Sequence, residues 1–154
     1  MSWCSHLRCW DGYTSFVPHY VSPPHNKSVK RLNMKWSPIT ELEIWDAINE
    51  SYERMSLEQR RFWEVIKIHP VKWKQDPYGN EGKGFWVVAL IGNTVIWFND
   101  IEDGFNRSSF KEYGVIEEYY CNQDELEWQV QGVINQMRDG YDSTGRCGEP
   151  QPIA

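Results

Sequence analysis

Several functional classes leave recognisable sequence patterns, and this chain lacks most of them. It has no apolar run long enough to span a membrane. Its first residues are interrupted by proline, histidine and charge, and lack the apolar core of a secretory signal. Its four cysteines are scattered, unlike the dense framework of a small secreted domain. We therefore expect a cytoplasmic protein that does not enter membranes and whose thiols are reduced.

Basic residues are scarce over most of the chain. The formal net charge of the 154 residues is -6. Residues 1–36 hold five Lys or Arg and one acid, whereas residues 37–154 hold eleven bases and twenty-one acids, a net charge of -10. A body this acidic repels phosphate backbones and favours a basic protein partner. We therefore expect no nucleic-acid ligand and a partner of opposite charge.

Aromatic residues, in contrast, are abundant. Nine Trp, eight Tyr and six Phe supply much apolar area to a chain of a length that fits one domain with one core. Two apolar runs, at about 85–91 and 94–98, flank Gly92-Asn93, a pair typical of a two-residue hairpin turn with Gly at positive φ. Both runs are apolar at successive positions, which predicts a hairpin buried on both faces.

Helical periodicity precedes the hairpin. Ser37-Pro38 is typical of a helix start, with Ser as the N-cap and Pro at the first helical position. A second helix is expected to begin at Ser56, which forms a capping box with Gln59, and to end at His69-Pro70. Apolar residues spaced three and four apart form the predicted buried faces: Ile39, Leu42, Trp45, Ile48, Tyr52 and Met55 in the first helix, and Phe62, Trp63, Val65 and Ile66 in the second.

Weaker signals surround the hairpin. Residues 70–84 are predicted to form a loop with a short strand near Val71–Lys74, and Val115–Cys121 is a candidate third strand that could also be helical. A last helix is expected to begin with the capping pair Asn122 and Glu125. Its predicted apolar stripe is Leu126, Val130, Val133, Ile134 and Met137, opposite Gln123, Glu127, Gln131 and Asn135. The expected fold is α+β: two N-terminal helices, an antiparallel sheet built on the central hairpin, and a C-terminal helix packed on the sheet.

The chain is expected to divide into three segments. Residues 1–33 carry three prolines and no clear period, so they are either a flexible arm or an upstream extension of a protein that starts at Met34. Residues 34–139 form the single α+β domain. Residues 140–154, rich in Gly and Pro, form a flexible tail.

The first segment also contains four zinc-type ligands: Cys4, Cys9, His19 and His25. Their order resembles a Cys2His2 zinc finger. However, Pro23-Pro24 lies where the ligand helix would run, and proline inside a helix is strongly destabilising. We therefore expect no zinc site here.

Two further groups could carry chemistry. The acidic segment 99–106 lacks ligating side chains at key positions of an EF-hand loop, which leaves a solvated turn or a protein-binding loop as its interpretation. Cys121, just before a helix, could pair with His69 as a thiol and its base. A structural cysteine and a helix-end histidine are the simpler interpretation. We expect no catalytic residues, no metal and no cofactor.

Three motifs resemble those of a family of small uncharacterised bacterial proteins: Gly84-Phe-Trp-Val-Val, Trp97-Phe-Asn-Asp-Ile-Glu-Asp-Gly-Phe-Asn106 and Tyr120-Cys-Asn-Gln-Asp-Glu125. The resemblance covers roughly residues 36–137 and implies no catalytic residues. In size, acidity and lack of catalytic motifs, the chain is also similar in type to immunity proteins, which neutralise toxins of bacterial competition systems. That likeness implies a binding protein.

These observations predict a non-enzymatic inhibitor of immunity type that covers a basic toxin with an acidic face. The alternatives are a small enzyme using Cys121 or the acidic loop 99–106, and a structural subunit of an oligomer; the oligomeric state stays open. Aromatic anchors and a surrounding acidic field would make the contact. The predicted contact residues are Trp97, Asn99, Asp100, Glu102, Asp103, Phe105, Asn106, Glu117, Glu118 and Tyr119.

Overall fold

Three helices and a four-stranded antiparallel sheet make up the described part of the protein, residues 36–140 of a computed structural model. The elements are α1 (Glu41–Arg54), α2 (Leu57–Ile66), β1 (Lys67–Trp73), β2 (Phe85–Ile91), β3 (Thr94–Asn99), β4 (Gly104–Ser109) and α3 (Leu126–Asp139). The α+β prediction is confirmed. The predicted arm 1–33, the tail beyond Gly140 and the zinc-type ligands of the first segment lie outside the described residues.

The sheet is a meander in which consecutive strands are neighbours, in the order β1-β2-β3-β4. The predicted hairpin is confirmed as β2 and β3, and Gly92 in its turn has a φ of 57°. That conformation is open to glycine at little steric cost. The register of β2 against β3 shifts between Val87 and Ala89, where the regular alternation of faces is interrupted.

Both faces of the sheet are buried, as the continuous apolar runs predict. In β3, Ile96 and Phe98 point into a core shared with the helices, whereas Val95 and Trp97 point into a second core on the other face. The second core is covered by the irregular segment 110–125, which contributes Ile116 to it. The C-terminal helix α3 packs on the sheet as expected.

The helix starts were predicted with mixed success. The prediction for Ser37 is wrong: α1 begins after Thr40, whose Oγ1 accepts the N–H of Glu43 at 3.3 Å while the Glu43 carboxylate accepts the N–H of Thr40 at 2.9 Å. The capping box of Ser56 and Gln59 is confirmed, with hydrogen bonds of 3.2 and 2.7 Å. The Asn122 prediction is also wrong, because the N-cap of α3 is Glu125, without a side-chain cap.

Some predicted core residues lie at the surface. Leu42, Val65 and Met137 are 72%, 80% and 65% exposed, so the apolar faces of the three helices are narrower than the spacing suggested. Ile44, which the spacing argument omitted, is fully buried. The face that α1 buries is therefore rotated towards Ile44 and Ile48.

Two further boundaries differ from the sequence-based expectation. Helix α2 ends at Ile66 and passes straight into β1, so His69-Pro70 lies within a strand. The candidate strand 115–121 is irregular, with one isolated bridge at Val115 to Lys74, and β4 instead follows the hairpin as the last strand of the meander. Part of the predicted acidic loop is therefore strand.

A buried carboxylate joins the ends of the helices. Glu127, predicted to face solvent, is only 7% exposed and accepts the Arg54 Nε at 2.6 Å. Arg54 also pairs with Glu125 at 2.8 Å, and Gln59 donates to the carbonyl of Glu127 at 2.9 Å. The hydrogen bond that Arg54 donates to Glu127 raises the pKa of Arg54. Glu127 therefore connects α1, α2 and α3 rather than facing solvent.

Candidate functional site

The turn between β3 and β4 holds the largest group of predicted contact residues, and Asn99 organises it. Its Oδ1 accepts the N–H groups of Ile101 at 3.0 Å and Glu102 at 3.3 Å, and its Nδ2 donates to the carbonyl of Tyr120 at 3.0 Å. Asn99 is fully buried, and Asp103 closes the turn with a φ of 61°. The segment is thus a turn in which an amide binds the backbone, the plainer of the interpretations.

Asp100 also faces inward, with 4% of its surface exposed. Its carboxylate accepts the N–H of Ile39 at 3.1 Å, and its carbonyl accepts the indole N–H of Trp36 at 3.0 Å. Burial lowers the pKa of nearby Lys72, and attraction to Asp100 opposes that change. Asp100 therefore attaches the segment before α1 to the turn, a structural role that the sequence did not reveal.

Asn106 fastens β4 to the segment before α3. Its Nδ2 donates to the carbonyl of Asn122 at 3.0 Å, and its Oδ1 accepts the N–H of Asn122 at 3.0 Å. The two backbones approach closely here, because a Cβ placed on Gly104 would lie 2.4 Å from the Cα of Gln123. Glycine at this position and the buried amide at Asn106 together permit the contact.

The three predicted aromatic anchors are buried. Trp97 and Phe105 are 0% and 2% exposed, and Tyr119 is 7% exposed and stacks on Tyr78 at 4.1 Å between ring centroids. Burial raises the pKa of Tyr119, and a hydrogen bond with Asn99 opposes that change. A partner could reach these rings only if the core opened, so a role as surface anchors does not fit their position.

Four of the predicted contact residues keep carboxylates at the surface. Asp103, Glu117 and Glu118 are exposed, and Glu102 is half-buried. Glu117 pairs with Lys111 at 2.8 Å, which raises the pKa of the Lys111 ammonium through their hydrogen bond. The acidic segment 99–106 therefore divides by chemistry: its amides and Asp100 turn inward, whereas Glu102 and Asp103 lie at the surface. Glu117 and Glu118 lie at the surface of the segment that covers the second core.

The sheet separates the two members of the proposed thiol–base pair. His69 packs against Trp45 of α1 with ring centroids 5.4 Å apart, on the helical side. Cys121 packs against the core on the other face. Within residues 36–140, no group of three or more Cys, His, Asp or Glu residues is placed to hold a metal ion.

A pocket of about 460 Å³ lies between α1, α2 and the start of β1. Sequence reasoning missed it, because it assigned the aromatic residues of α1 and α2 to a single core. Lys67 pairs with Glu64 at 2.6 Å beside it, and the Nε2 of His69 lies 3.7 Å from the carboxylate of Glu41. The side chains that give the pocket its character are Trp45, Tyr52, Trp63, Glu64, Lys67 and His69.

Comparisons with family models, with curated proteins and with solved structures find no match to this chain. The resemblance to small bacterial proteins therefore rests on the sequence motifs, and the likeness to immunity proteins rests on size and charge. In the part of the chain that the structure describes, no helix has both the length and the apolar character needed to cross a membrane.

Proposed function

We propose that this chain is a non-enzymatic binding protein that engages a basic protein partner through an acidic surface, most concretely as an immunity-type inhibitor of a toxin. The observation that carries the proposal is the position of four carboxylates at the surface of one framework, of which Glu117 is paired with Lys111 and has a side chain that is 25% exposed. Glu102 and Asp103 extend from the β3–β4 turn, and Glu117 and Glu118 extend from the segment over the second core.

The framework supports the proposal because it orders these carboxylates. Asn99 holds the backbone of the turn and the carbonyl of Tyr120, so the turn and the covering segment are fixed to each other. Glu102 lies close enough to Tyr119 to affect its hydroxyl electrostatically. Preorganised charge steers a partner of opposite sign and loses little conformational entropy when it binds.

The contact set that fits this arrangement is smaller than the sequence suggested. The buried Trp97, Phe105, Asn99, Asp100 and Asn106 support the surface from within. Among apolar side chains, Ile101 directly precedes the two surface carboxylates of the turn and is 40% exposed. We expect Ile101 to supply an apolar contact beside the charged surface.

The test is capture of partners from the native cell, with association measured for each recovered protein. The double variant Glu102→Gln, Asp103→Asn should weaken a basic partner by about 1–3 kcal/mol, because interfacial charge is lost. Raising the salt concentration to about 500 mM should slow association, since exposed charges are then screened. Asp46→Asn with Glu50→Gln removes two exposed charges from α1 and is the matched control.

Equal weakening by both double variants would show that net charge, not this surface, governs binding. Recovery of acidic partners only, or an association rate independent of salt, would contradict the proposal. Growth protection of cells exposed to the toxin form of the partner would then test the immunity role directly, and loss of protection should follow loss of binding.

A further inference from the structure

The pocket between α1, α2 and β1 has the composition of a site for an organic cation. Trp63 closes its inner side and is 3% exposed, while Trp45 and Tyr52 are half-buried walls that still line the open space. Three aromatic side chains thus line one cavity, and the faces of aromatic rings attract ammonium groups. A volume of about 460 Å³ is within the range of small-molecule sites.

The two charged side chains of the pocket lining, Lys67 and Glu64, pair with each other at 2.6 Å. Glu64 is half-exposed, with 49% of its side chain accessible. An anionic ligand would have to compete with Glu64 for Lys67, and a cationic ligand that contacts Glu64 would have to compete with Lys67. The pair therefore favours neither sign, and the preference for a cation rests on the aromatic walls.

The chain already pairs cations with aromatic rings at this depth. The guanidinium of Arg60 lies 5.0 Å from the ring centroid of Tyr52, and the ammonium of Lys72 lies 5.2 Å from that of Trp86. The ring of Tyr52 thus already carries one guanidinium, so the aromatic contact with a ligand falls mainly to the tryptophans that line the cavity.

From this geometry we infer that the pocket binds an alkylated ammonium group, a function separate from that of the acidic surface. None of the pocket residues belongs to the contact set of Glu102, Asp103, Glu117 and Glu118. The ammonium could belong to a free small molecule or to a methylated lysine side chain. Both sources share one chemistry, and the probes below separate them.

The experiment titrates the full chain with choline, with dimethylbutanol as its uncharged carbon isostere, and with benzoate as an anion. Binding is followed by tryptophan fluorescence and by chemical shifts of the lining residues. Choline should bind about tenfold more tightly than dimethylbutanol, because only the charged form gains the interaction with the rings. A short peptide containing trimethyllysine forms the second arm.

If choline binds and the peptide does not, the site is for a small molecule. If the peptide binds more tightly than choline, the site is for a modified side chain. Each outcome supports the cation site. Equal binding of choline and dimethylbutanol, preferred binding of benzoate, or no binding in either arm would overturn it. The acidic surface could still bind a partner in those cases, so the two proposals fail independently.

Two variants test the assignment of residues. Trp45→Leu keeps an apolar wall but removes a ring, and should weaken choline about tenfold without changing dimethylbutanol. Trp128→Leu, at an exposed position on α3, is the matched control and should change neither. Lys67→Met should tighten choline by about twofold to fivefold, because it frees the Glu64 carboxylate.

Lys67→Met is expected to tighten choline binding, and damage to the fold would not produce that result. A pocket that loses shape binds less, not more. Thermal unfolding of all three variants checks that each is folded under the conditions of the titration. Weaker choline binding by Lys67→Met in a folded protein would overturn the role given to Glu64.

Discussion

The two faces of the sheet are covered in different ways. On one face, three helices bury a core that includes Ile44, Ile66 and Val130. On the other face, the segment 110–125 buries a core rich in aromatic rings, yet it forms no helix or strand of its own apart from isolated bridges. Helices satisfy most of their own backbone hydrogen bonds, whereas an irregular segment must find partners elsewhere.

Side chains of the sheet supply those partners. Asn99 donates to the carbonyl of Tyr120, Asn106 donates to the carbonyl of Asn122, and the Ser108 hydroxyl donates to the carbonyl of Glu118 at 2.7 Å. The amides of the acidic segment are therefore used to hold the covering segment in place. This difference between the faces explains why amides turn inward while the carboxylates beside them remain at the surface.

The largest expected effect is on the helical face. Val130 is fully buried, so Val130→Asp places an unpaired carboxylate in the core and should lower the free energy of unfolding by more than about 4 kcal/mol. Gln131→Asp, at the next and half-buried position, loses the hydrogen bond that the Gln131 amide donates to Asn135 at 2.9 Å and should cost only about 1 kcal/mol. Chemical denaturation measures both, and comparable losses would show that the helix faces are misassigned.

A smaller and more local effect is expected on the irregular face. Asn106→Ala removes hydrogen bonds to both backbone groups of Asn122 and should cost about 2–3 kcal/mol, because the groups left behind are partly buried. Amide hydrogen exchange should accelerate in residues 116–122 while α3 stays protected. Asn49→Ala, an exposed amide on α1, is the control. Uniform acceleration across both faces would contradict a separately held cover.

Some local signals in the sequence were interpreted correctly, the starts of α1 and α3 were not, and contacts between distant segments were not visible. The hairpin and the Ser56 capping box depend on residues a few positions apart, so their patterns are visible in the sequence. The pairing of Asn106 with Asn122 and the close approach at Gly104 join segments sixteen or more positions apart. The sequence shows the same residue type, Asn, whether its side chain lies in a solvated turn or holds a buried backbone.

The same limit applied to the candidate site. A count of tryptophans does not say which ones line a cavity, and Trp97 and Trp45 both lie in apolar patterns. Trp97 fills a core between two layers, whereas Trp45 is left beside a gap because α1 is rotated towards Ile44.

The smallest expected effect concerns how stability depends on pH. It distinguishes the two faces of the sheet through Tyr119, which lies on the irregular face. Burial holds the pKa of Tyr119 above its usual range in the folded state. A group whose pKa is raised by folding contributes stability that is complete below its unfolded pKa, about 10 for tyrosine, and is lost as the pH rises through the folded value. The irregular face should therefore weaken first in alkali.

Tyr119→Phe removes that titration together with the hydrogen bond to Asn99. At neutral pH the variant should be less stable by about 0.5–1.5 kcal/mol, as for a lost hydrogen bond. Above about pH 10 the difference in the free energy of unfolding between the variant and the native chain should decrease, because only the native chain has a buried hydroxyl to ionise. Tyr113→Phe, at a position 69% exposed, is the control and should keep the alkaline slope of the native chain. If the difference in stability between Tyr119→Phe and the native chain does not change with pH, the segment that covers Tyr119 admits water. That result would remove the contrast between the helical face and the face held by side chains, at the residue where the contrast should be largest.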